Sequence, residues 1–232
     1  MTEIRVLTWN IRHGLTENNG VDIGAFIKEL PRFNADIIIL QEVDRLAKRS
    51  GSIDQYMEFK QHLGHQWFGS WTKRCSLGWT GSYGLATFSR YPILQTRHHL
   101  LSGEFHEKCY AQESMLEAHS SLISVFNIHM PFEGHTGAKH TDTAWKTLNE
   151  LTFPENCIVG GDFNVFETSA EAEILLRECV DIGIRKTHPI GRIDYCMGRG
   201  RLVPEKQEVY DSNLSDHFPF VTTFLLKPFS TD

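Results

Sequence analysis

The stretch Ile158-Val159-Gly160-Gly161-Asp162-Phe163-Asn164 reads as a short apolar strand that stops at a double glycine and then presents an acid and an amide two residues apart. Strand side chains repeat with period two, so Asp162 and Asn164 are expected on one face of the strand end. Gly160 and Gly161 would let the backbone turn, or let a phosphate come close to it. A carboxylate beside a carboxamide at a strand tip can hold a divalent cation, orient a water, or do both. Gly, Asp and Asn are also the usual turn residues, and taken alone the stretch reads as a turn.

Upstream, Val125-Phe126-Asn127-Ile128-His129 is a second strand ending in a polar residue, followed by a polar loop over 130–142. A helix after that loop would turn Trp145, Leu148 and Thr152 inward. Downstream, Thr168-Ser169-Ala170-Glu171 forms a capping box for a helix with Ala172, Leu175, Leu176 and Cys179 on its buried stripe. Short strands near 193–197 and 206–210 flank the turn Gly198-Arg199-Gly200-Arg201. A last strand over about 219–226 follows Ser215-Asp216-His217.

The N-terminal part has the same grammar. A strand over 4–10 ends in Trp9-Asn10, with Arg12-His13-Gly14 behind it. Ile23, Phe26, Ile27 and Leu30 fall at helical spacing; Asp22 suits the N-cap and Pro31 should end the helix early. Asp36-Ile37-Ile38-Ile39-Leu40 reads as a central strand covered on both faces, with Gln41-Glu42-Val43-Asp44 at its end. Ser52-Ile53-Asp54-Gln55 resembles a capping box for a helix carrying Tyr56, Phe59 and Leu63. Residues 72–82, rich in Lys, Arg, Cys, Gly and Trp, are expected to form a loop. Strands near 83–89, 93–101, 113–118 and 121–128, with little helix between them, predict antiparallel pairing. Too many short strands for one open sheet predict two sheets packed face to face with helices outside, in a single domain over 1–232.

Composition sets the outer bounds. The 232 residues are 41% hydrophobic and carry a formal net charge of -6, which excludes a large uniform basic grip on nucleic acid. A phosphate-bearing substrate remains compatible, because a bound divalent metal supplies local positive charge. The five cysteines have no C-x-x-C pair, so free thiols in a reducing compartment are expected rather than a disulfide framework or a structural zinc site. With no signal-peptide pattern and no apolar run of membrane length, the expectation is a soluble, intracellular (cytoplasmic), monomeric protein.

The polar strand ends are therefore Asn10, Glu42, His129, Asp162, Asn164, Asp194 and the pair Asp216-His217. Their order and local context carry a resemblance. Thr8-Trp9-Asn10-Ile11-Arg12-His13-Gly14, Leu40-Gln41-Glu42-Val43-Asp44, Tyr83-Gly84 running to Ser89-Arg90-Tyr91-Pro92-Ile93, Phe126-Asn127-Ile128-His129-Met130, Gly160-Gly161-Asp162-Phe163-Asn164, Arg192-Ile193-Asp194-Tyr195 and Ser215-Asp216-His217-Phe218-Pro219 resemble the motifs of the endonuclease/exonuclease/phosphatase (deoxyribonuclease-I-like) superfamily, in the family's order.

The resemblance implies a four-layer α/β sandwich and hydrolysis of phosphate esters with a divalent metal, Mg²⁺ or Mn²⁺. It implies Glu42 as principal metal ligand, with Asn10 nearby and Asp216 sharing the metal. Asp162 and Asn164 resemble the pair that orients the attacking water and contacts the phosphate. His217 resembles the phosphate-contacting histidine or base, Asp194 its orienting partner, and His129 a second histidine acting as acid or transition-state stabiliser. Arg12, His13 and Tyr83, which lie in matched segments, are assigned to substrate binding.

One place departs from the pattern. Glu113-Ser114-Met115-Leu116-Glu117-Ala118 carries an acid where many members have a basic residue. A phosphate-clamping arginine is then missing, and Arg12, Arg45, Lys73 or Arg74 would compensate. The departure bears on the substrate more than on the chemistry. The favoured substrate is a nucleic acid or nucleotide-like phosphate ester; a phospholipid, sphingolipid or inositol phosphate is the alternative, and a non-catalytic binding module is the third reading.

Weaker features have bland readings. His129, His135, His140 and Asp142 match no ligand spacing and read as a solvated loop. Trp71, Trp79, Lys73 and Arg74 read either as a stacking platform or as a packed loop. Gly198-Arg199-Gly200-Arg201 reads as a solvated hairpin turn, and neither Cys75 nor Cys109 has a base paired to it by motif.

Overall fold

The computed structural model describes residues 2–18, 20–103, 107–183 and 185–228. Its elements run β1 (Thr2–Asn10), α1 (Ile23–Phe33), β2 (Ile37–Arg45), α2 (Gln55–Leu63), β3 (Phe68–Leu77), β4 (Gly81–Ser89), β5 (Ile93–Ser102), β6 (Cys109–Ala118), β7 (Ser121–His129), α3 (Glu133–Thr136), α4 (Ala138–Glu150), β8 (Cys157–Asp162), α5 (Ala170–Glu178), β9 (Asp194–Arg199), β10 (Leu202–Val209) and β11 (Phe220–Leu226). One sheet has the order β10-β11-β1-β2-β4-β3 and the other β5-β6-β7-β8-β9. Each is mixed: β1 runs parallel to β2 and β7 parallel to β8, and the remaining pairs are antiparallel.

Alternation along the central strands builds the layers. In β1 and β2, Ile4, Val6, Ile37 and Ile39 face Leu116, Val125, Ile158 and Cys196 across the gap between the sheets. Their neighbours Leu7, Trp9, Ile38 and Leu40 face outward onto Phe26, Ile27 and Leu30 of α1 and Phe59 of α2. On the far side, Phe126, Ile128, Val159 and Tyr195 pack under Trp145 and Leu148 of α4 and Ala172 and Leu175 of α5. The result is helix, sheet, sheet, helix, as expected from the strand count. Fully burying each such aliphatic side chain contributes roughly 1.5–3 kcal/mol, so β1 and β2, apolar on both faces, anchor the sandwich.

Several local expectations are corrected. Residues 72–82 are not a loop: β3 and β4 pair as a hairpin with its turn near 78–80. The loop-like composition of β3 is overridden by pairing with β4, whose side chains are nearly all buried. Pro31 does not stop α1 early; the helix runs on to Phe33 and closes at Asn34 in the left-handed conformation. Within the final turn, the missing proline N–H removes only one bond.

The N-caps also move. Asp22 caps α1 as expected, but Asp54 rather than Ser52 caps α2, and Ser169 rather than Thr168 caps α5. The 130–142 stretch is largely helical, with His140 buried on α4 and bonded to Ser102 at 2.7 Å. Thr152 lies past the end of α4 and is exposed. The five cysteines are free thiols. Among the described residues, no helix is long and apolar enough to cross a membrane.

The β6–β7 hairpin turns on His119 and Ser120, both left-handed at φ 50° and 59°. A non-glycine residue there carries roughly 1–2 kcal/mol of steric cost. Glycine gives back part of that gain through its looser unfolded chain, roughly 0.5–1 kcal/mol. Ser120→Gly is therefore expected to stabilise the protein by about 0.5–1 kcal/mol, read as a raised thermal midpoint. A midpoint that falls would show the turn to be unstrained.

Candidate active site

Strand register gathers the polar strand ends before any side chain is considered. His129 pairs with Asp162 across β7 and β8, and Asp162 pairs with Asp194 across β8 and β9. From the other sheet, Asn10 closes β1 opposite Gln41, and Glu42 follows directly in β2. His217 arrives in the segment before β11. Both sheets therefore contribute to one cleft of about 750 Å³, lined by Arg12, Glu42, Tyr83, His129, Asp162, Asn164, Asp216 and His217 among others.

Glu42 is not at the end of β2, as the sequence suggests, but inside it. The ladder to β4 shifts between Leu40 and Val43, and Glu42 sits in this bulge with φ 56°. Bulges re-aim a side chain, and here the carboxyl group is turned into the cleft. Asn127 braces the bulge from the opposite sheet. Its amide donates to the carbonyls of Leu40 and Ala86, each at 3.0 Å, and its oxygen accepts from Gln41 at 2.8 Å. A polar residue at a sheet-to-sheet contact is costly unless every group is paired, and here it is.

The opening stretch does a different job from either expectation for its glycines. Gly160 and Gly161 form neither a turn nor a phosphate cradle; they lie within β8. A Cβ on Gly161, at φ 134°, would meet the Ile128 carbonyl oxygen at 1.9 Å, and one on Gly160 would meet Ile39 of the facing sheet at 2.9 Å. The glycines let β8 pack tightly at the seam. The period-two reading of Asp162 and Asn164 also fails. The strand ends at Asp162, and Asn164 lies beyond it at φ 53°. Its backbone N–H donates to the Asp162 carboxyl at 3.0 Å and its amide to the Met130 carbonyl at 2.8 Å.

Asp162 is 1% exposed and central to the group. Asn10 donates to it at 3.0 Å and to Glu42 at 3.2 Å, tying the two carboxyl groups together. The Nε2 atoms of His129 and His217 each stand 3.5 Å from it. On the other side of His217, Nδ1 meets Asp194 at 3.0 Å. Burial opposes charge on His217, but the Asp194 and Asp162 charges outweigh it and hold the imidazole protonated well above the ordinary range. Burial likewise pushes Asp162 up, with the Asp194 charge adding to it and His217 opposing. Burial and the Arg74 charge drive His129 down to about 3, so its ring is neutral. Tyr83 contacts that ring, hydroxyl to Nδ1, at 3.3 Å.

Thr187, which the sequence does not single out, orients Asp194. Its buried hydroxyl accepts from the backbone N–H groups of Ile193 and Asp194 at 3.2 and 3.1 Å, and its carbonyl accepts from Phe218 at 2.7 Å. It thereby pins the carboxyl partner and the residue next to His217. Thr187→Val leaves two buried donors unpaired and is expected to cost about 1–3 kcal/mol in denaturant unfolding, with Thr187→Ser close to wild type. Equal stability of the two variants would remove this role.

The remaining expected contacts divide. Arg12 and Asp216 line the cleft and pair at 3.4 Å, while His13 sits behind Glu42 with Nδ1 at 3.8 Å. Arg74 lines the cleft from β3, but Arg45 is engaged by Asp54 at 2.7 Å and Lys73 is exposed elsewhere on the strand. Trp71 packs against Tyr56, and Trp79 stands fully exposed at the hairpin tip. Glu113 is not a cleft residue at all. It is buried on β6, held by Ser124 at 2.7 Å and His99 at 2.8 Å, so no clamp is lost there. Sequence reasoning missed Arg49 and Phe132, which line the cleft, and His188, whose ring lies 4.7 Å from that of His217.

Two places invite a cation, a cluster and a single carboxylate. Asp162, Asp194 and His217 present donor atoms within 4.8 Å of one another. In the described geometry both ring nitrogens of His217 face the two carboxyl groups, so the trio is arranged as a proton-handling chain. Glu42 is the better donor. Burial opposes its charge, yet the His13 ring, the His129 field and the Asn10 amide hold its carboxyl down at about 2. An ionised, partly exposed carboxylate on the cleft wall is what Mg²⁺ takes while keeping most of its waters.

Comparison with known proteins agrees with the architecture. No curated protein matches the sequence. Among solved structures, the endonuclease/exonuclease/phosphatase of Beutenbergia cavernae DSM 12333 superposes with a TM-score of 0.83 at 18% identity, covering 97% of this chain and 72% of that one. The human Nocturnin catalytic domain with bound sulfate gives 0.69 at 19% identity over 97% of this chain and 94% of its own. A humanised D. rerio TDP2 gives 0.71 at 16% identity over 96% and 98%. At these identities the likeness is one of fold. The family model, in contrast, reads the sequence itself and matches residues 7–217, which span every strand-end residue described above. The chain belongs to the endonuclease/exonuclease/phosphatase family.

Proposed function

We propose that the protein is a divalent-metal-dependent phosphodiesterase acting on a nucleic acid or nucleotide-like substrate, with Asp162 as the residue that positions and deprotonates the attacking water. The observation that carries this reading is the chain Asp194, His217, Asp162, Asn10, Glu42, each linked to the next at hydrogen-bond or close ionic distance.

The residues divide the work by their chemistry. A carboxyl group pushed up by burial is matched to accepting a proton near neutral pH. His217, protonated and steered by Asp194, donates to a phosphoryl oxygen and stabilises charge developing there. His129, neutral and backed by Tyr83, has a ring nitrogen aimed at Asp162 and takes the place of a second hydrogen-bonding group at the phosphate. Asn164 is fixed by its bonds to Asp162 and Met130 at the mouth of the same pocket. Arg12 supplies positive charge beside Asp216. Glu42, with Asp216 and Asn10 at hand, would hold Mg²⁺ or Mn²⁺; when bound, that ion polarises the phosphoryl group and offsets the negative charge of the transition state.

The sulfate bound to the Nocturnin catalytic domain, a tetrahedral anion of phosphate shape, fits this reading. The lipid alternative is motivated by the modest basic character and by Glu113, and of these Glu113 lies outside the cleft. A panel of DNA, RNA, nucleotide diesters and micellar phospholipid, run with Mg²⁺ and Mn²⁺ on wild type and Asp162→Asn side by side, tests the proposal. Turnover of a nucleotidic diester, lost in the variant, is expected. Turnover of lipid alone would redirect the substrate, and none with either metal would reject the activity.

A further inference from the structure

The cleft has a flank that the chemistry above leaves unused. Arg49 stands in the short 3-10 turn Lys48–Ser50, directly after β2. Its guanidinium is gripped by Asp44 through two hydrogen bonds of 2.8 Å, one to Nε and one to Nη2. Asp44 is fully buried and is held from another side by Ser50 at 2.9 Å. A guanidinium has five N–H donors in a fixed fork, and Asp44 takes only two of them. The side chain is 42% exposed and lines the cleft, while its partner is 0% exposed. The pair is therefore oriented, with the anion inside and the cation at the cleft wall.

Arg74 supports the same flank from β3. It is 3% exposed, lines the cleft, and is held in place by Glu107 at 3.0 Å and by the Lys108 carbonyl at 3.0 Å. Both guanidinium carbons stand over the ring of Tyr83, at 5.2 Å for Arg49 and 5.7 Å for Arg74. The Tyr83 hydroxyl in turn touches His129, which faces Asp162. This cationic wall is joined to the reaction centre through Tyr83 and His129 and lines the same cleft.

We infer that Arg49, backed by Arg74 across Tyr83, forms an anion subsite that takes a second phosphate of the same substrate, next to the one being cleaved. The inference rests on the phosphodiesterase reading and narrows its substrate to one carrying at least two phosphate groups. A pre-fixed guanidinium loses little freedom on binding an anion, which makes it a selective subsite rather than a general attraction. The alternative role for Arg49 is only to neutralise Asp44.

The test compares kcat/KM for three thymidine substrates: TpT, with one phosphate; TpTpT, with two phosphates a nucleoside apart; and TppT, with two phosphates joined directly. In Arg49→Gln, the preference for TpTpT or TppT over TpT is expected to fall roughly tenfold or more, the scale of one lost charge-assisted bond. Whichever substrate loses its advantage reports the spacing of the two phosphates. Because Arg49→Gln leaves Asp44 buried without its partner, the paired variant Asp44→Asn with Arg49→Gln is measured alongside. If the paired variant regains the wild-type preference, Arg49 is a structural clamp and the subsite is overturned.

Calorimetric titration of inorganic pyrophosphate into the EDTA-treated protein reads the subsite without turnover, with wild type expected to bind roughly tenfold more tightly than Arg49→Gln. Arg49-dependent pyrophosphate binding with no hydrolysis of any substrate would reject the proposed reaction and keep the subsite. Equal or absent binding, with an unchanged substrate preference, would reject the subsite and leave the reaction standing.

Discussion

Asp162→Asn is expected to lower turnover of a phosphodiester by roughly a hundredfold or more, the scale of removing a general base, while the protein folds normally. The amide keeps the shape of the carboxyl group and can still accept from the Asn164 N–H, which holds the turn after β8. What it loses is the ability to take a proton. It also removes one of the two acidic partners of His217, leaving Asp194 to hold the ring at 3.0 Å. Circular dichroism and a thermal midpoint close to wild type would show that the fold is intact, and steady-state kinetics on the cleaved diester would give the loss. A variant that keeps near-normal turnover would strip Asp162 of the role and leave its position at the centre of the site without a catalytic meaning.

Removal of metal should have the largest effect of all. With EDTA, hydrolysis is expected to fall to background and to return on adding Mg²⁺ or Mn²⁺ in excess, since the ion contributes several kcal/mol of charge stabilisation. The Glu42 carboxylate, ionised far below neutral pH, is the group that would feel the difference. Glu42→Gln keeps the bulge geometry, halves the ligand oxygens and removes the charge. It should therefore raise the concentration of Mg²⁺ needed for half-maximal rate. Full activity in EDTA would rule out the metal-assisted reaction, and an unchanged Mg²⁺ requirement in Glu42→Gln would move the ion to other residues.

Much of this site was legible in the sequence because it is written at strand ends. Asn10, His129, Asp162 and Asp194 each follow or begin an apolar run, and strand register alone brings three of them into one row. The sandwich itself was legible for a similar reason: β2 is apolar on both faces, and many short strands need two sheets. The missing parts depend on partners distant in the chain. Nothing near Glu42 announces the bulge, which exists because Asn127, from the other sheet, satisfies the carbonyls of Leu40 and Ala86. Arg49 looks like an ordinary surface residue until Asp44 is seen buried beside it. The sequence alone points to a loop at β3 because Lys and Gly have weak strand preference, and pairing with β4 decides the matter. Asn164 was misplaced because strand periodicity was carried two residues past the strand's end.

The order of strands in the larger sheet has a consequence for how the protein comes into being. β1, the first strand in this sequence, lies between β2 and β11, the last strand among the described residues. The segment just ahead of β11 delivers Asp216 and His217, and the Trp9 indole is tied to the His217 carbonyl at 3.0 Å. On the ribosome, the smaller sheet is complete in sequence before β10 appears, but the larger one stays open at the β1 edge. A nascent chain that has reached Asp162 thus carries Glu42, His129 and Asp162 for a while before His217 is added. The cluster around Asp162 is therefore assembled only when β11 slots in beside β1 and brings His217 to it.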